Sequence, residues 1–304
     1  MKKDSYFFYD NHEFEWDRVL NDEERKKIGD TWFRTDTLDA WRHQRMRAPL
    51  QAIIEADKEA SWLTIGDGRY GTDANFLIRN GAKKVHASDL FDRLLKIGHE
   101  KGFIQDYSAQ NAEDLTFEDN SFDYIYCKES FHHLPRPYAA LYEMFRVAKK
   151  AVILTEPRDT TIEKSVMPQI RDLAKRILGK EIKPSHNFEP VGNYVYTISE
   201  REIEKFMLGM HYTEVAFIGC NDAYQPGVEF IPTDSLDPEH IKTRDKLFAS
   251  IEKQDSLCRR RLRSTGILTA AMFKSKLSDE LALNLKTHGW TVKTLPTNPY
   301  LKKS

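Results

Sequence analysis

The stretch SWLTIGDGRYGTDANFLIRNGAKKVHASD, residues 61–89, decides the fold of this 304-residue chain. The apolar runs at 62–65 and 85–88 have the length and composition of buried strands, and residues 72–80 between them follow a helical pattern. A strand, a glycine-rich turn, a helix and a second strand form a βαβ unit, whose two strands run parallel. The stretch therefore predicts an α/β protein with a parallel sheet.

The alternation of strands and helices continues downstream of this unit. Short apolar segments and helical segments follow one another, which is typical of α/β sheets with helices on both faces. Further strands are predicted at 104–109, 122–127, 151–155, 212–218 and 265–273. Helices are predicted to begin near Phe91, at Tyr138 and at the capping box of Ser199 and Glu202. A last helix is predicted to begin at Asp237-Pro238 and to run toward Arg263.

Two segments interrupt this alternation, 158–195 and 221–264. Apolar residues recur at helical spacing in the first, which predicts an amphipathic helix. We interpret both segments as insertions that form a helical cap. The apolar positions of the first segment are Ile162, Val166, Ile170, Leu173 and Ile177.

The two ends of the chain are predicted to be mainly helical. Residues 1–60 carry a helical apolar pattern that Pro49 kinks or divides, and residues 277–300 are predicted to form a helix and an extended tail.

Composition narrows the class of partner. Lys and Arg number 46 against 47 Asp and Glu, so the chain has no global positive field for nucleic acid or an anionic membrane. The three cysteines form no CxxC pair, and no apolar run approaches the roughly 20 residues of a membrane span. We expect a cytoplasmic protein that acts on a small molecule, with no nucleic acid and no membrane as partner.

The glycine-rich turn after the first strand predicts a nucleotide site. Its glycines allow a tight turn and close backbone approach to a ligand at a helix amino terminus. The turn fits the spacing GxGxxG with Gly66, Gly68 and Gly71, and Asp89 ends the second predicted strand, where an acidic residue binds both hydroxyls of a ribose. NAD and S-adenosylmethionine (SAM) both contain that ribose, so these residues leave the choice open.

The residues that follow favour one of the two cofactors. Asn111-Ala112-Glu113 precedes DLTFEDNSFDYIYCKESFHHLPRP and ALYEMFRVAKKAVILTEP. The ordered motifs of this block resemble the class I SAM-dependent methyltransferase family of the small-molecule type. The resemblance covers about residues 61–157 and continues more weakly to 219 and over 265–274.

The resemblance implies a fold and a domain organisation. The fold is an α/β, Rossmann-like class I methyltransferase fold, with a mostly parallel seven-stranded sheet, helices on both faces and an inserted helical cap. Residues 1–60 are expected to close the cofactor site, residues 61–274 to form the methyltransferase domain, and residues 275–304 to add a helix and a tail.

The resemblance also implies a cofactor, S-adenosyl-L-methionine, and the residues that bind it. Arg42, on an amino-terminal helix, is expected to pair with the methionine carboxylate. Thr64 stands where many relatives carry an acidic residue, and Tyr70 where a third glycine often lies. The other expected cofactor residues are Gly66, Asp67, Gly68, Tyr70, Gly71, Asp89, Leu90, Asn111, Ala112, Glu113 and Lys128.

Candidate catalytic residues follow the fourth predicted strand. Methyl transfer from a sulfonium requires alignment and, for a hydroxyl acceptor, removal of its proton. An imidazole titrates near neutral pH, so His132 or His133 is expected to be the base, and Glu129 is expected to border the acceptor. Glu156 is expected to face the acceptor pocket. The spacing of these groups matches no metal-ligand pattern, so we predict no metal.

The function predicted from these residues is SAM-dependent methyl transfer to a hydroxyl of a small molecule or saccharide-type acceptor. One alternative is an NAD-dependent oxidoreductase or epimerase, although the chain has no YxxxK motif after the fourth or fifth strand. The other is a SAM-fold protein that binds without catalysing a reaction.

Overall fold

Among the residues that the computed structural model describes, which are 7–159, 166–179, 188 and 193–300, eight strands form one mixed sheet. The spatial order is β3-β2-β1-β4-β5-β7-β6-β8. The strands are β1 Ser61–Ile65, β2 Lys84–Asp89, β3 Asp106–Ala109, β4 Phe122–Lys128, β5 Ala148–Pro157, β6 Glu214–Cys220, β7 Ile267–Phe273 and β8 Thr291–Thr294.

Strands β1 to β5 pair in parallel, as the βαβ pattern predicts. β7 pairs antiparallel with β5 and β6, so the two late strands form the antiparallel end of the sheet. The prediction of seven strands was one short, because β8 pairs antiparallel with β6 at the edge. Its four residues, TVKT, are too short and too polar to distinguish a strand from an extended tail.

The helices in the described part of the chain lie mainly on the two faces of the sheet. α10 ends at Arg259, four residues before the predicted end, and Arg261 has a φ of 58° in the left-handed region. The helices are α1 Phe7–Asn21, α2 Glu23–Thr31, α3 Leu38–Arg47, α4 Gln51–Ala56, α5 Thr72–Arg79, α6 Arg93–Glu100, α7 Pro137–Val147, α8 Val166–Ile177, α9 Glu200–Gly209, α10 Pro238–Arg259 and α11 Asp279–Thr287.

The core divides between the two faces of the sheet. Alternate residues of a strand point to opposite faces, so Leu63 packs with α7 and α9 while its neighbour Trp62 packs with α4, α5 and α11. Both side chains are fully buried. Because the central strands are covered on both faces, their sequences are continuous apolar runs, as predicted for parallel strands.

The two interrupting segments differ in how they contact the rest of the protein. Leu247 and Ile251 of α10 form a small buried cluster with Leu38 of α3 and the loop at 228–231. In α8, by contrast, the apolar side chains of Ile170, Leu173 and Ile177 are exposed. Ile162, the first position of that predicted apolar pattern, lies outside the described residues.

Candidate active site

A cavity of about 620 Å³ opens at the carboxyl ends of the central strands. It lies where the strand order reverses between β1 and β4, the place where open α/β sheets bind ligands. Among its lining residues are eleven of the predicted site residues: Arg42, Gly66, Asp67, Asp89, Leu90, Asn111, Ala112, Lys128, Glu129, His132 and His133.

Two glycines in the turn after β1 cannot carry a side chain. Gly66 has a φ of 70°, and a Cβ on it would lie 1.8 Å from Ser130 Oγ. A Cβ on Gly68 would lie 2.7 Å from the Trp16 ring and 2.8 Å from a carboxylate oxygen of Asp89. At Gly66 the turn therefore brings bare backbone against the cavity, which is the geometry that a bound nucleoside needs.

Asp67 caps the helix that follows the turn. Its two carboxylate oxygens accept from the backbone N–H groups of Asp73 at 3.0 Å and Ala74 at 2.9 Å, which α5 leaves unpaired at its amino terminus. The Thr64 hydroxyl donates to the same carboxylate at 2.9 Å. Burial, and then the nearby Asp73 carboxylate, raises the pKa of Asp67 to about 8. Thr64, which departs from the family pattern, supplies a neutral partner for this crowded carboxyl group.

Asp89 lies at the end of β2 with 7% of its surface exposed. Its carboxylate accepts from the backbone N–H of Phe91 at 3.3 Å and is hydrogen-bonded to the Trp16 indole of α1. Burial raises the pKa of this carboxyl group to about 6 despite these donors. An acceptor pair at a strand end, beside glycine backbone, fits a ribose diol.

Two predicted cofactor residues do not line the cavity because their side chains are engaged elsewhere. The Glu113 carboxylate accepts from the backbone N–H and the Nε of Arg136, both at 2.7 Å. Tyr70 is buried under the amino-terminal helices, with its ring stacked on Phe33 at 4.4 Å between centroids.

The other two predicted residues outside the lining are glycines of the turn, Gly68 and Gly71. Gly68 lies directly behind Trp16 and Asp89. A Cβ on Gly71, whose φ is 81°, would lie 2.5 Å from Ile104. Gly71 is therefore required by backbone conformation and packing.

Arg42 lines the cavity, but its guanidinium is already paired. Its Nε donates to Asp222 Oδ1 at 3.0 Å, its Nη2 donates to the other oxygen of Asp222, and its Nη1 donates to Asp39 Oδ1 at 2.7 Å. The expectation that Arg42 pairs with the methionine carboxylate therefore does not suit this geometry. The side chain instead joins α3 to the segment after β6.

Arg42→Gln is expected to act on stability more than on cofactor binding. Removing one partner of a buried ion pair costs about 3–5 kcal/mol, so we expect thermal denaturation to show a Tm lowered by roughly 5–15 °C. Calorimetry on the folded variant should show a SAM affinity within about threefold of wild type. Arg34→Gln, which breaks an exposed pair with Asp36, is the control and should change Tm little. A large loss of affinity at unchanged Tm would restore the original expectation for Arg42.

The part of the cavity beside the end of β4 is ionic. Glu129, at the end of β4, has a left-handed φ of 48°, and its Oε2 lies 3.0 Å from Lys128 Nζ and 3.4 Å from His43 Nδ1. Although burial opposes ionisation, the Lys128 ammonium lowers the pKa of Glu129 to about 2. Burial, and then Lys128, lowers the pKa of His43 well below its usual range. A carboxylate and a neutral imidazole thus lie side by side.

His132 and Glu156 form a dyad beside this end of the cavity. His132 Nδ1 lies 2.5 Å from Glu156 Oε2, and the other oxygen of Glu156 accepts from the backbone N–H groups of Ser130 and Phe131, both at 3.0 Å. Glu156 has no exposed surface, so it meets the cavity through His132 and does not face it directly as expected. His133, whose Nδ1 lies 3.1 Å from Asn193 Nδ2, lies beside His132 with the two ring centroids 3.9 Å apart and the rings tilted by 45°.

Several lining residues were missed by sequence reasoning. Trp16, Asp39, His43 and Glu229 lie far in sequence from the motifs of β1 to β5, whereas Arg69 lies within the glycine-rich turn itself. The run TDTLDAWRHQRM at 35–46 contained the one available signal, a buried helix dense in charged residues. The contacts between this helix and the residues after β6 depend on tertiary structure.

Comparison with known proteins agrees with this fold. Residues 63–155 match the family model described as methyltransferase domain. The chain is similar to the ubiquinone/menaquinone biosynthesis C-methyltransferase UbiE of Brucella abortus, 26% identical over 155 residues, which cover 45% of this chain and 58% of that protein. The corresponding protein of Allorhizobium ampelinum is 29% identical over 48% of this chain and 60% of its own length.

Among solved structures, the chain is similar to the YcgJ protein from Bacillus subtilis, with a TM-score of 0.47 and 18% identity over 77% of this chain and 100% of that one. The chain spans less than two thirds of the length of the curated relatives that it matches. The order and directions of the strands, together with the family match over residues 63–155, give a Rossmann-like methyltransferase fold. The chain contains a class I SAM-dependent methyltransferase domain, and S-adenosyl-L-methionine is the cofactor of this domain.

The described residues contain neither a membrane-spanning helix nor a metal-binding cluster. No helix in that part of the chain has the length and apolar character to cross a membrane. No cluster of three or more His, Cys, Asp or Glu side chains there has the arrangement of a metal site.

Proposed function

We propose that this protein transfers the methyl group of SAM to a hydroxyl of a polar small molecule, such as a saccharide-type acceptor. The observation that carries the proposal is the His132–Glu156 dyad at the cavity. SAM, when bound, supplies an activated methyl group and leaves as a neutral thioether. A carboxylate that accepts from Nδ1–H fixes the histidine tautomer with Nε2 as the base, which is how such dyads deprotonate hydroxyls.

The residues that follow β1, β2 and β3 would together bind the cofactor. The Asp89 carboxylate would accept from both ribose hydroxyls, and the backbone at Gly66 and Gly68 would allow the nucleoside to approach closely. Asn111 and Ala112, which line the cavity after β3, would flank the adenine. The cavity of about 620 Å³ is in the range of small-ligand sites.

The character of the acceptor follows from the polar end of the cavity. Most of the described residues there carry carboxylate, cationic, imidazole or hydroxyl groups, although Leu134 and Pro135 also line the cavity after His133. Other apolar lining residues, Ile65, Leu90 and Phe91, lie at the ends of β1 and β2. Such an end suits an acceptor with several hydroxyls, which can hydrogen-bond to carboxylates and cations. The residues concerned are Asp39, Arg42, His43, Lys128, Glu129, His132, His133, Tyr224 and Glu229.

Carbon methylation of a hydroxylated ring is a second candidate. The observation that favours it is the similarity to the UbiE proteins, whose name describes them as C-methyltransferases of ubiquinone and menaquinone biosynthesis. The same dyad would remove a phenolic proton and thereby make the neighbouring ring carbon nucleophilic. Incubating the protein with cell extract and isotopically labelled methyl-SAM, followed by NMR of the labelled product, distinguishes O–CH₃ from C–CH₃.

Cofactor identity is tested separately by calorimetric titration with SAM and with NAD. We expect saturable binding of SAM and none of NAD. Binding of NAD without SAM would contradict the proposed function, and SAM binding without any labelled product across extracts would favour a non-catalytic role.

The amino-terminal segment is proposed to close the cofactor cavity. Trp16 of α1 covers Gly68 and hydrogen-bonds to Asp89, and Arg93 of α6 pairs with Glu13 at 2.9 Å and with Asp17. The ribose diol would take the place of the indole N–H at Asp89. The helix must therefore shift before the cofactor is fully bound.

Trp16→Phe is expected to speed SAM association by roughly three- to tenfold, because it removes a hydrogen bond to a charged group that binding must break. Stopped-flow mixing with SAM measures the rate. Trp41→Phe is the matched control, since Trp41 packs on Phe248 outside the cavity. An unchanged association rate in Trp16→Phe would contradict this role for α1.

A further inference from the structure

A second cavity of about 430 Å³ lies between α3 and α5, beside the loop that joins α2 to α3. Its lining comes from that loop, from one side of α3 and from the exposed side of α5. It shares a wall with the cofactor cavity, because five residues line both: Trp32, Asp39, His43, Arg69 and Thr72. A ligand in this second cavity would thus be separated from the methyl-transfer site by one layer of side chains.

The charges of the second cavity are strongly unbalanced. Its described lining contains the four arginines Arg34, Arg47, Arg69 and Arg79, and Asp39 is its acidic residue. Asp39 is already hydrogen-bonded to Arg42, at 2.7 Å. His43 adds no positive charge, since burial lowers its pKa well below the usual range. The lining therefore carries more positive than negative groups, although Asp36 and Asp73 outside it pair with two of the arginines.

Two of these arginines are held by carboxylates outside the cavity. Arg34 pairs with both oxygens of Asp36, at 2.9 and 2.7 Å, and the Nε of Arg47 pairs with Asp73 at 2.5 Å. These pairs fix the positions of the two guanidinium groups. Because these side chains are already ordered, the binding of a ligand to them loses less side-chain entropy.

The other two arginines have no such partner. In the described part of the chain, neither Arg69 nor Arg79 forms an ion pair with a carboxylate. The Arg69 guanidinium instead lies 3.1 Å from His43 Nε2 and 5.1 Å from the centre of the Trp32 ring. Arg79 is exposed at the carboxyl end of α5, where a cation also complements the helix dipole. Arg69 lies before the amino terminus of α5, so the helix dipole does not explain why a cation occupies that position.

We propose that the second cavity is a binding site for a phosphate group. Guanidinium groups present planar pairs of N–H donors that match phosphate oxygens, and several of them around one cavity favour a multiply charged oxyanion. The neutral side chains of Thr35, Gln44 and Asn80 add polar lining. Arg69 and His43 connect this site to the cofactor cavity. The site lies outside the cofactor and acceptor cavity and goes beyond the proposed methyl transfer.

The test is a calorimetric titration of the full chain with pyrophosphate at low ionic strength, after saturation with S-adenosylhomocysteine. The nucleoside fills the first cavity, so the remaining heat reports on other sites. We expect saturable binding that Arg79→Gln weakens at least fivefold. Arg259→Gln is the matched control, because Arg259 is also the last residue of an exposed helix end; it should stay within twofold of wild type. Hydrogen–deuterium exchange should show protection at 31–37 and 75–80.

Three results would overturn the proposal: no saturable binding, equal affinity in Arg79→Gln and wild type, or equal weakening in Arg259→Gln. The first result means that no site exists, and the last that the charge effect is non-specific. If S-adenosylhomocysteine itself fails to bind, the proposed function fails. The pyrophosphate titration of the unloaded protein, with the same two variants, still decides whether the second site exists.

Discussion

Asp89→Asn is expected to raise the Kd for SAM at least about a hundredfold at pH 7.5. The two ribose hydroxyls would donate to a buried carboxylate, and each hydrogen bond to a charged group is worth about 1.5–3 kcal/mol. The amide keeps the shape of the side chain but loses the charge and one acceptor. Calorimetry measures the change. Asp92→Asn, three positions later and outside the cavity lining, is the control.

The same variant is expected to be at least as stable as wild type without cofactor. Burial raises the pKa of Asp89 to about 6, above its ordinary value of 3.8. A raised folded-state pKa means that the folded protein binds the proton more tightly, so the contribution to stability is present below about pH 3.8 and is lost as pH rises through about 6. At pH 7.5 the ionised group therefore opposes folding, and the amide removes that penalty.

The pH dependence of cofactor binding follows from the same value. The diol needs the ionised carboxylate, so wild-type affinity for SAM should fall as pH drops through about 6, while the much weaker binding by Asp89→Asn should be flat over that range. Denaturant titration measures the stability and calorimetry measures the SAM affinity, both between about pH 5 and about pH 8, where most domains are stable. If Asp89→Asn is less stable yet binds SAM normally, Asp89 has a structural role and the cofactor lies elsewhere.

The parallel part of the sheet was predictable because its information is local. The strands β1, β4 and β5 contain continuous apolar runs with a helix or turn on either side, and the alternation of Trp62 and Leu63 between the two faces needs only the period of a strand. β3, with the sequence DYSA, was predicted from its place in the alternation of strands and helices. β8 was missed because four residues at a sheet edge contain too few apolar positions to show a period. Its pairing with β6 is a tertiary contact.

The cofactor side of the site was predictable to a similar extent and for a similar reason. Gly66, Asp89 and Asn111 follow successive strands, and the carboxyl ends of parallel strands meet at one edge of the sheet. Tyr70 and Glu113 were placed by position in a motif, but their side chains are held by Phe33 and Arg136. Position along a strand-end loop predicts the region that a residue reaches. It does not predict the direction of the side chain.

The other part of the cavity, proposed to hold the acceptor, was much less predictable. Arg42 and Asp222 meet across 180 positions of sequence, and His43 reaches Lys128 across 85. Such contacts depend on how the amino-terminal helices and the segment after β6 pack against the sheet. The pair of histidines after β4 was identified, but its orientation depends on Glu156 at the end of the neighbouring strand β5.

Glu156→Gln is expected to lower kcat for methyl transfer by about 10²–10⁴-fold, the range over which a positioned general base acts. The glutamine oxygen can still accept from the N–H groups of Ser130 and Phe131. Its NH₂ group then faces His132 Nδ1 and donates to it, which moves the proton of the neutral imidazole to Nε2 and removes the base.

Because Glu156 lines neither cavity directly, the Kd for SAM and the KM for the acceptor should change less than about threefold, so that the loss appears in kcat. His132→Gln should lose a similar factor, and the double variant should lose little more, since the two side chains act as one unit. Glu214→Gln, a buried glutamate of β6 bonded to Thr294, is the matched control and should keep wild-type turnover. Full turnover in Glu156→Gln with labelled methyl-SAM would remove the dyad from the mechanism and leave His43 or His133 to supply the base.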